Sequence, residues 1–127
     1  MFYIVESDKS FYEATVDLEA VVPRLGFVIL GSHDHGALLR AKDIEVDDES
    51  KVYAVANYRQ LEKTLAADMR LGMLFPWHIS VFTVDGATKI GVLRPQLLLD
   101  SLASDDAVAR LAHELGEKVI QIVDETR

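Results

Sequence analysis

Apolar positions along this chain recur with two different periods. Phe11, Ala14, Leu18, Val21, Val22 and Leu25 step by three and four residues, as do Val108, Leu111, Leu115, Val119 and Ile122, so each set forms one stripe of a helix. The first stripe opens at Ser10-Phe11-Tyr12-Glu13, the spacing of a capping box. There the Ser10 hydroxyl accepts the Glu13 N–H and the Glu13 carboxylate reaches back to the Ser10 N–H. Gly26 supplies a left-handed stop, and Pro23, late in the stripe, predicts a kinked or frayed last turn because it removes a backbone donor. The second stripe runs towards Arg127 from Ser104, Asp105 and Asp106, whose carboxylates suit the positive end of a helix dipole. At 1.5 Å per residue it spans roughly 30 Å, enough to cross a sheet. Leu61, Leu65 and Ala66 predict a third helix, capped by Asn57 and ended before Gly72. A weaker helical piece covers Ala37 to Lys42, and Pro95 suits the first turn of another.

Between the stripes the period falls to two, or disappears into short apolar runs. Phe2 to Val5 and Phe27 to Leu30 are too short and too β-branched for helices and read as strands. Lys51 to Ala56 is apolar on both phases of the alternation, which predicts a central strand covered on two sides. Ile79 to Thr83 and Lys89 to Leu93 flank Asp85-Gly86, a pair that tolerates positive φ at both positions and so predicts a tight hairpin. Adjacent like charges cost energy when buried, so Asp43 to Glu49 is expected as an exposed loop or edge. The alternation puts His78, Ser80 and Phe82 on one face of their strand and Trp77, Ile79 and Val81 on the other.

Composition narrows the class. A chain of 127 residues buries about two-thirds of its unfolded surface in one core, so a single domain over 1–127 is expected. Thirteen Lys and Arg stand against 21 Asp and Glu, a formal charge of −8, which disfavours nucleic acid and anionic membrane as partners. No apolar run approaches the roughly 20 residues that span a bilayer. The start, MFYIVESDKS, carries neither a basic leader nor a small-residue cleavage site, and the expectation is a cytoplasmic protein. Zero cysteines exclude disulfides, thiolate nucleophiles and thiolate metal sites from the chain.

Three stretches, FYIVESDKSF, VANYRQLEKTLAADMRLGMLFPWHISVF and TKIGVLRP, resemble the prokaryotic family called Domain of Unknown Function 302, and the resemblance extends over nearly the whole chain. It implies an α+β fold of TATA-box-binding-protein-like type, a β-α-β(4)-α arrangement with a mainly antiparallel sheet, helices on one face and a long C-terminal helix. Ala37 to Lys42 and the Leu61 helix would then be insertions between strands. The resemblance also implies self-association and no established activity. Asn57, Asp68 and Pro76 match the family's recurrent Asn, acidic residue and proline. Ala56 and Trp77 stand where many members carry cysteine, so thiol or metal chemistry of those cysteines cannot be shared here.

Candidate sites are few. His33-Asp34-His35 is the sharpest cluster: on an extended backbone residues two apart point the same way, so His33 and His35, completed by His78 or Asp34, could converge on zinc, nickel or copper. The competing reading is a solvated turn. Pro76, Trp77 and His78 open an apolar strand, and with Asn57 they form a candidate ligand site. A packed core rim or dimer contact accounts equally for Trp77, and helix capping accounts for Asn57 and Asp68. No elbow motif, phosphate loop or calcium loop is present, and no residue is assigned a catalytic role or a required cofactor. The pattern therefore points to a homodimeric, non-catalytic module that binds a small ligand or partner protein. Two alternatives stay open: a metal-dependent protein or enzyme using His33, His35 and His78, and a purely structural oligomerisation domain.

Overall fold

The computed structural model describes residues 2–94 and 106–127. In chain order the elements are β1 (Phe2–Ser7), α1 (Phe11–Arg24), β2 (Val28–Asp34), α2 (His35–Arg40), β3 (Ser50–Ala56), α3 (Tyr58–Ala67), a 3₁₀ turn (Met69–Met73), β4 (Trp77–Val84), β5 (Ala87–Leu93) and α4 (Asp106–Thr126). All five strands join one antiparallel sheet in the order β1-β5-β4-β3-β2. The expected α+β class is therefore observed, with α2 and α3 as the two insertions. The helix starts read at Pro95, Ser104 and Asp105 lie outside the described residues, as does Met1.

Local chemistry explains most element ends. Ser10 caps α1 by accepting the Glu13 N–H at 3.1 Å. The Glu13 carboxylate takes the Ser10 hydroxyl at 3.0 Å, where the capping box had the Ser10 N–H as its donor. Pro23 does not break α1, which continues to Arg24. Gly26, at φ +85°, then reverses the chain into β2. Asp85 and Gly86 both hold positive φ, at 52° and 83°, and make the two-residue turn of the β4–β5 hairpin, in which Val84 pairs with Ala87.

Asp43 to Glu49 is only partly free. The Asp48 carboxylate accepts from the Thr83 hydroxyl at 2.9 Å and from the Asp85 and Gly86 amides at 3.1 and 3.2 Å. Those bonds favour its charged form, the Thr83 bond most, and hold its pKa below the usual carboxylate range.

The core lies between one face of the sheet and the pair α1 and α4. Tyr53, Val55, Trp77, Ile79, Val81, Ile90 and Val92 point into it from the strands, and Leu18, Val22, Leu115, Val119, Ile122 and Val123 meet them from the helices. The strand Lys51 to Ala56 is central, as predicted. It is covered on one side, not two: Tyr53 and Val55 are buried while Val52 and Ala54 stay half-buried on the other face. Its near-continuous apolarity reflects small residues on the second face, where Ala54 and Val52 face neither helix.

Candidate functional site

The antiparallel register assigns paired strand residues to a face, because directly paired residues share one. One row across the second face runs His33, Val52, Ser80, Gly91, Ile4, and its neighbour begins Gly31, Ala54, His78. A third row is Ser50, Phe82, Lys89, Glu6. The face is largely open: Phe2 is 71% exposed, Ile4 48%, Leu93 42% and Val84 45%, while His78 is exposed beside the buried Trp77. A concavity of about 370 Å³ lies on it, bounded by Phe2, Ile4, Phe82 and Leu93, with His78, Ser80 and Ser50 as polar lining.

The residue sizes make the hollow. Ser80 and Gly91 form its low floor, while the larger Phe82, Leu93 and Phe2 rise around it. At Gly91 a Cβ would meet Ile4 Cγ1 at 2.9 Å and the Tyr3 carbonyl oxygen at 3.2 Å, so glycine lets Ile4 lie flat on β5.

The four residues of the expected ligand site divide between the two sides of the sheet. Asn57, Pro76 and Trp77 do meet, with Ala56, Gln60 and Leu115, around a cavity of only about 10 Å³, the room of a single water. Trp77 is 4% exposed and packs edge-on against Phe75 with ring centroids 5.2 Å apart, so it is core. Asn57 caps α3, accepting the Gln60 N–H at 3.1 Å while its amide donates to the Gly26 carbonyl at 2.9 Å. Pro76 follows a cis peptide bond. His78 belongs to the other face. Ala56 and Trp77 line the same small cavity; Trp77 fills the space there.

The histidines are also separated. His33 lies near the end of β2, in its row with Val52 and Ser80, whereas His78 lies on β4, so β3 intervenes and strand spacing alone keeps their backbones roughly 10 Å apart. Between His33 and His35 the chain changes from strand to helix. Asp34 caps α2 through the Ala37 N–H at 2.9 Å, so extended geometry ends there and the two-residue rule no longer applies. His35 instead places Nδ1 2.8 Å from the Ser50 hydroxyl oxygen. Among the described residues no group of three or more His, Asp or Glu side chains is placed to hold a metal ion. Asp68, the family-matching acidic residue, ends α3, accepts the Arg70 N–H at 2.9 Å and pairs with its guanidinium at 2.6 Å. The Arg70 bond keeps the Asp68 carboxyl below its ordinary range.

Phe2, Ile4, Ser50 and Leu93 were not singled out from the sequence as a site. Their signal was the same alternation that placed Ser80 and Phe82: Phe2 and Ile4 are out of phase with Tyr3 and Val5, so one apolar pair on β1 must face away from the core.

The chain matches, over residues 3–126, the family model described as Domain of unknown function DUF302. Among solved structures it is similar to the uncharacterized conserved protein DUF302 from Bacillus stearothermophilus, at a TM-score of 0.90 and 22% identity, covering 99% of this chain and 98% of that one. At that identity the likeness speaks for the fold. No curated protein matches the chain. Among the described residues, no helix is long and apolar enough to cross a membrane.

Proposed function

The chain belongs to the DUF302 family, and from that premise we propose that it is a homodimeric, non-catalytic binding module that associates with a second copy of itself through the open face of its sheet. The observation that carries this reading is the character of that face. It exposes Phe2, Ile4, Val84 and Leu93, and its outward strand positions include two carboxylate or ammonium groups, Glu6 and Lys89, which lie 3.7 Å from each other at the margin. An apolar centre with a paired polar margin is the composition of an association surface.

A net charge of −8 sets two copies against each other over most of their surface, and a face with its charges paired is where they can approach. Five strands at about 4.8 Å spacing, each contributing some six residues at about 3.3 Å, give a face of roughly 24 by 20 Å. Two such faces bury on the order of 1,000 Å² in flat projection, and side-chain relief raises this into the range of specific interfaces.

Multi-angle light scattering at micromolar concentration tests the reading. The expected mass is twice 14.2 kDa, falling to the monomer in Leu93→Glu and Val84→Glu, which keep their far-ultraviolet circular dichroism. A monomeric parent protein, or a dimer indifferent to both charges, overturns it.

A further inference from the structure

We infer that the two paired faces enclose a chamber for a neutral, amphipathic small molecule, with an aromatic or branched aliphatic body and a single hydrogen-bonding end such as a phenol, alcohol or amide. The inference rests on the homodimer reading above, and the size, chemistry and one-sidedness of the hollow lead to it.

The hollow of about 370 Å³ falls within the roughly 300–1,000 Å³ typical of small-molecule sites. It arises because Ser80 and Gly91, paired on β4 and β5, leave the face low there while Phe82 and Leu93 stand beside them. Two such faces packed together therefore cannot close flush at their centres. Sheets stack about 10 Å apart when side chains from both fill the gap; here the central side chains are too short to fill it. An unfilled apolar gap forfeits dispersion contacts on both sides, and a ligand of matching size restores them.

A single sheet face covers such a ligand from below only, whereas small-molecule sites bury about 70–90% of a ligand's surface. The second copy supplies the roof, so the site is incomplete in one chain.

Polar chemistry sets the class of ligand. His78 and Ser80 stand two residues apart on the same face of β4, roughly 7 Å from one another. Among the described residues neither side chain has a hydrogen-bond partner, so an imidazole and a hydroxyl are available to donate or accept. Lining the hollow there is no Lys, Arg, Asp or Glu among the described residues. A carboxylate or phosphate would be desolvated there without a fixed cation, which is costly, and the overall charge of −8 adds repulsion. A neutral ligand meets neither cost.

The test is a fluorescence titration with N-phenyl-1-naphthylamine, a neutral apolar probe, run beside light scattering on the parent protein, Ser80→Leu and Val84→Glu. Ser80→Leu fills the hollow yet keeps the face apolar, and Val84 lies on the same face outside the hollow. Saturable binding is expected in the parent, weakened at least tenfold in Ser80→Leu, which stays dimeric, and lost in Val84→Glu as it becomes monomeric. Added probe should also shift the parent's dissociation to lower chain concentration, as linkage requires of a ligand held by the dimer. A dimeric parent that takes up no probe, or a Ser80→Leu dimer that binds as the parent does, overturns the chamber and leaves the homodimer standing. Undiminished binding by a monomeric Val84→Glu overturns the roof supplied by the second copy. A monomeric parent is detected by scattering alone and removes the homodimer reading first.

Discussion

Trp77 and His78 are neighbours in sequence, yet one is buried and the other faces solvent. They represent the two faces of a single sheet. The covered face carries Tyr53, Val55, Ile79, Val81 and Ile90, each with no exposed surface; the open face carries Phe2, Ile4, His78, Ser80 and Leu93. Both are rich in apolar residues, so hydrophobicity does not separate them. What separates them is a second layer: α1 and α4 supply Leu18, Val22, Val119 and Ile122 to one side, and the other keeps its large side chains in water. An apolar strand position thus becomes core or contact surface according to what the rest of the chain lays against it.

Paired substitutions on the two faces give the largest expected effect. Trp77→Ala removes a packed indole and leaves a cavity, at a cost of about 3–5 kcal/mol in unfolding free energy. Leu93→Ala, on the open face, should cost the isolated chain under about 1 kcal/mol while weakening the dimer. Urea denaturation of each, at chain concentrations below dimer dissociation, checks the contrast, and similar losses for both would erase the distinction between the faces.

A buried hydroxyl sharpens it further. The Tyr53 phenol donates to Glu19 Oε1 at 2.9 Å, with Lys51 Nζ 3.7 Å from the same carboxylate and 5.1 Å from the Tyr53 ring centre. Burial, and after it the Glu19 carboxylate, push the Tyr53 pKa well above the ordinary phenol value. A raised folded pKa contributes stability in full below the unfolded value of about 10, and that stability is lost as pH rises beyond it towards the folded value. Tyr53→Phe is therefore expected to cost about 1 kcal/mol at neutral pH and to flatten the decline above pH ~10. Melting temperatures of both proteins across that range test it; parallel alkaline limbs would show that Tyr53 does not carry the decline.

The smallest effect belongs to His78. His78→Ala should shift the unfolding free energy of the monomer by no more than about 0.5 kcal/mol. A loss above that, measured in the same denaturation series, would mean that the open face contributes to the fold as the covered one does.

Much of this arrangement was legible along the chain. The Ser10 cap, the Asp85-Gly86 turn, the Asn57 cap and the helical stripes were readable because each depends on residues within a few positions of one another. The α+β class followed from their order. The candidate site was legible only in part: alternation puts His78, Ser80 and Phe82 on one face and Trp77 on the other, whereas adjacency behind Pro76 at the strand entry groups Trp77 and His78 in a single site. The extended-strand rule that aims His33 and His35 the same way stops holding at Asp34, where the chain enters α2. Phe2 and Leu93 join the hollow through pairing between β1 and β5, about ninety residues apart, which no local pattern contains.

The sequence by itself determined which segments become helix or strand and which side chains alternate across each strand, since both follow from backbone geometry and nearest-neighbour chemistry. Only the tertiary structure decided the strand order β1-β5-β4-β3-β2, the face that α1 and α4 cover, and the hollow that Ser80 and Gly91 leave on the other. Alternation is symmetric: it sorts residues into two faces without saying which one will be buried, and that choice is made by long-range packing.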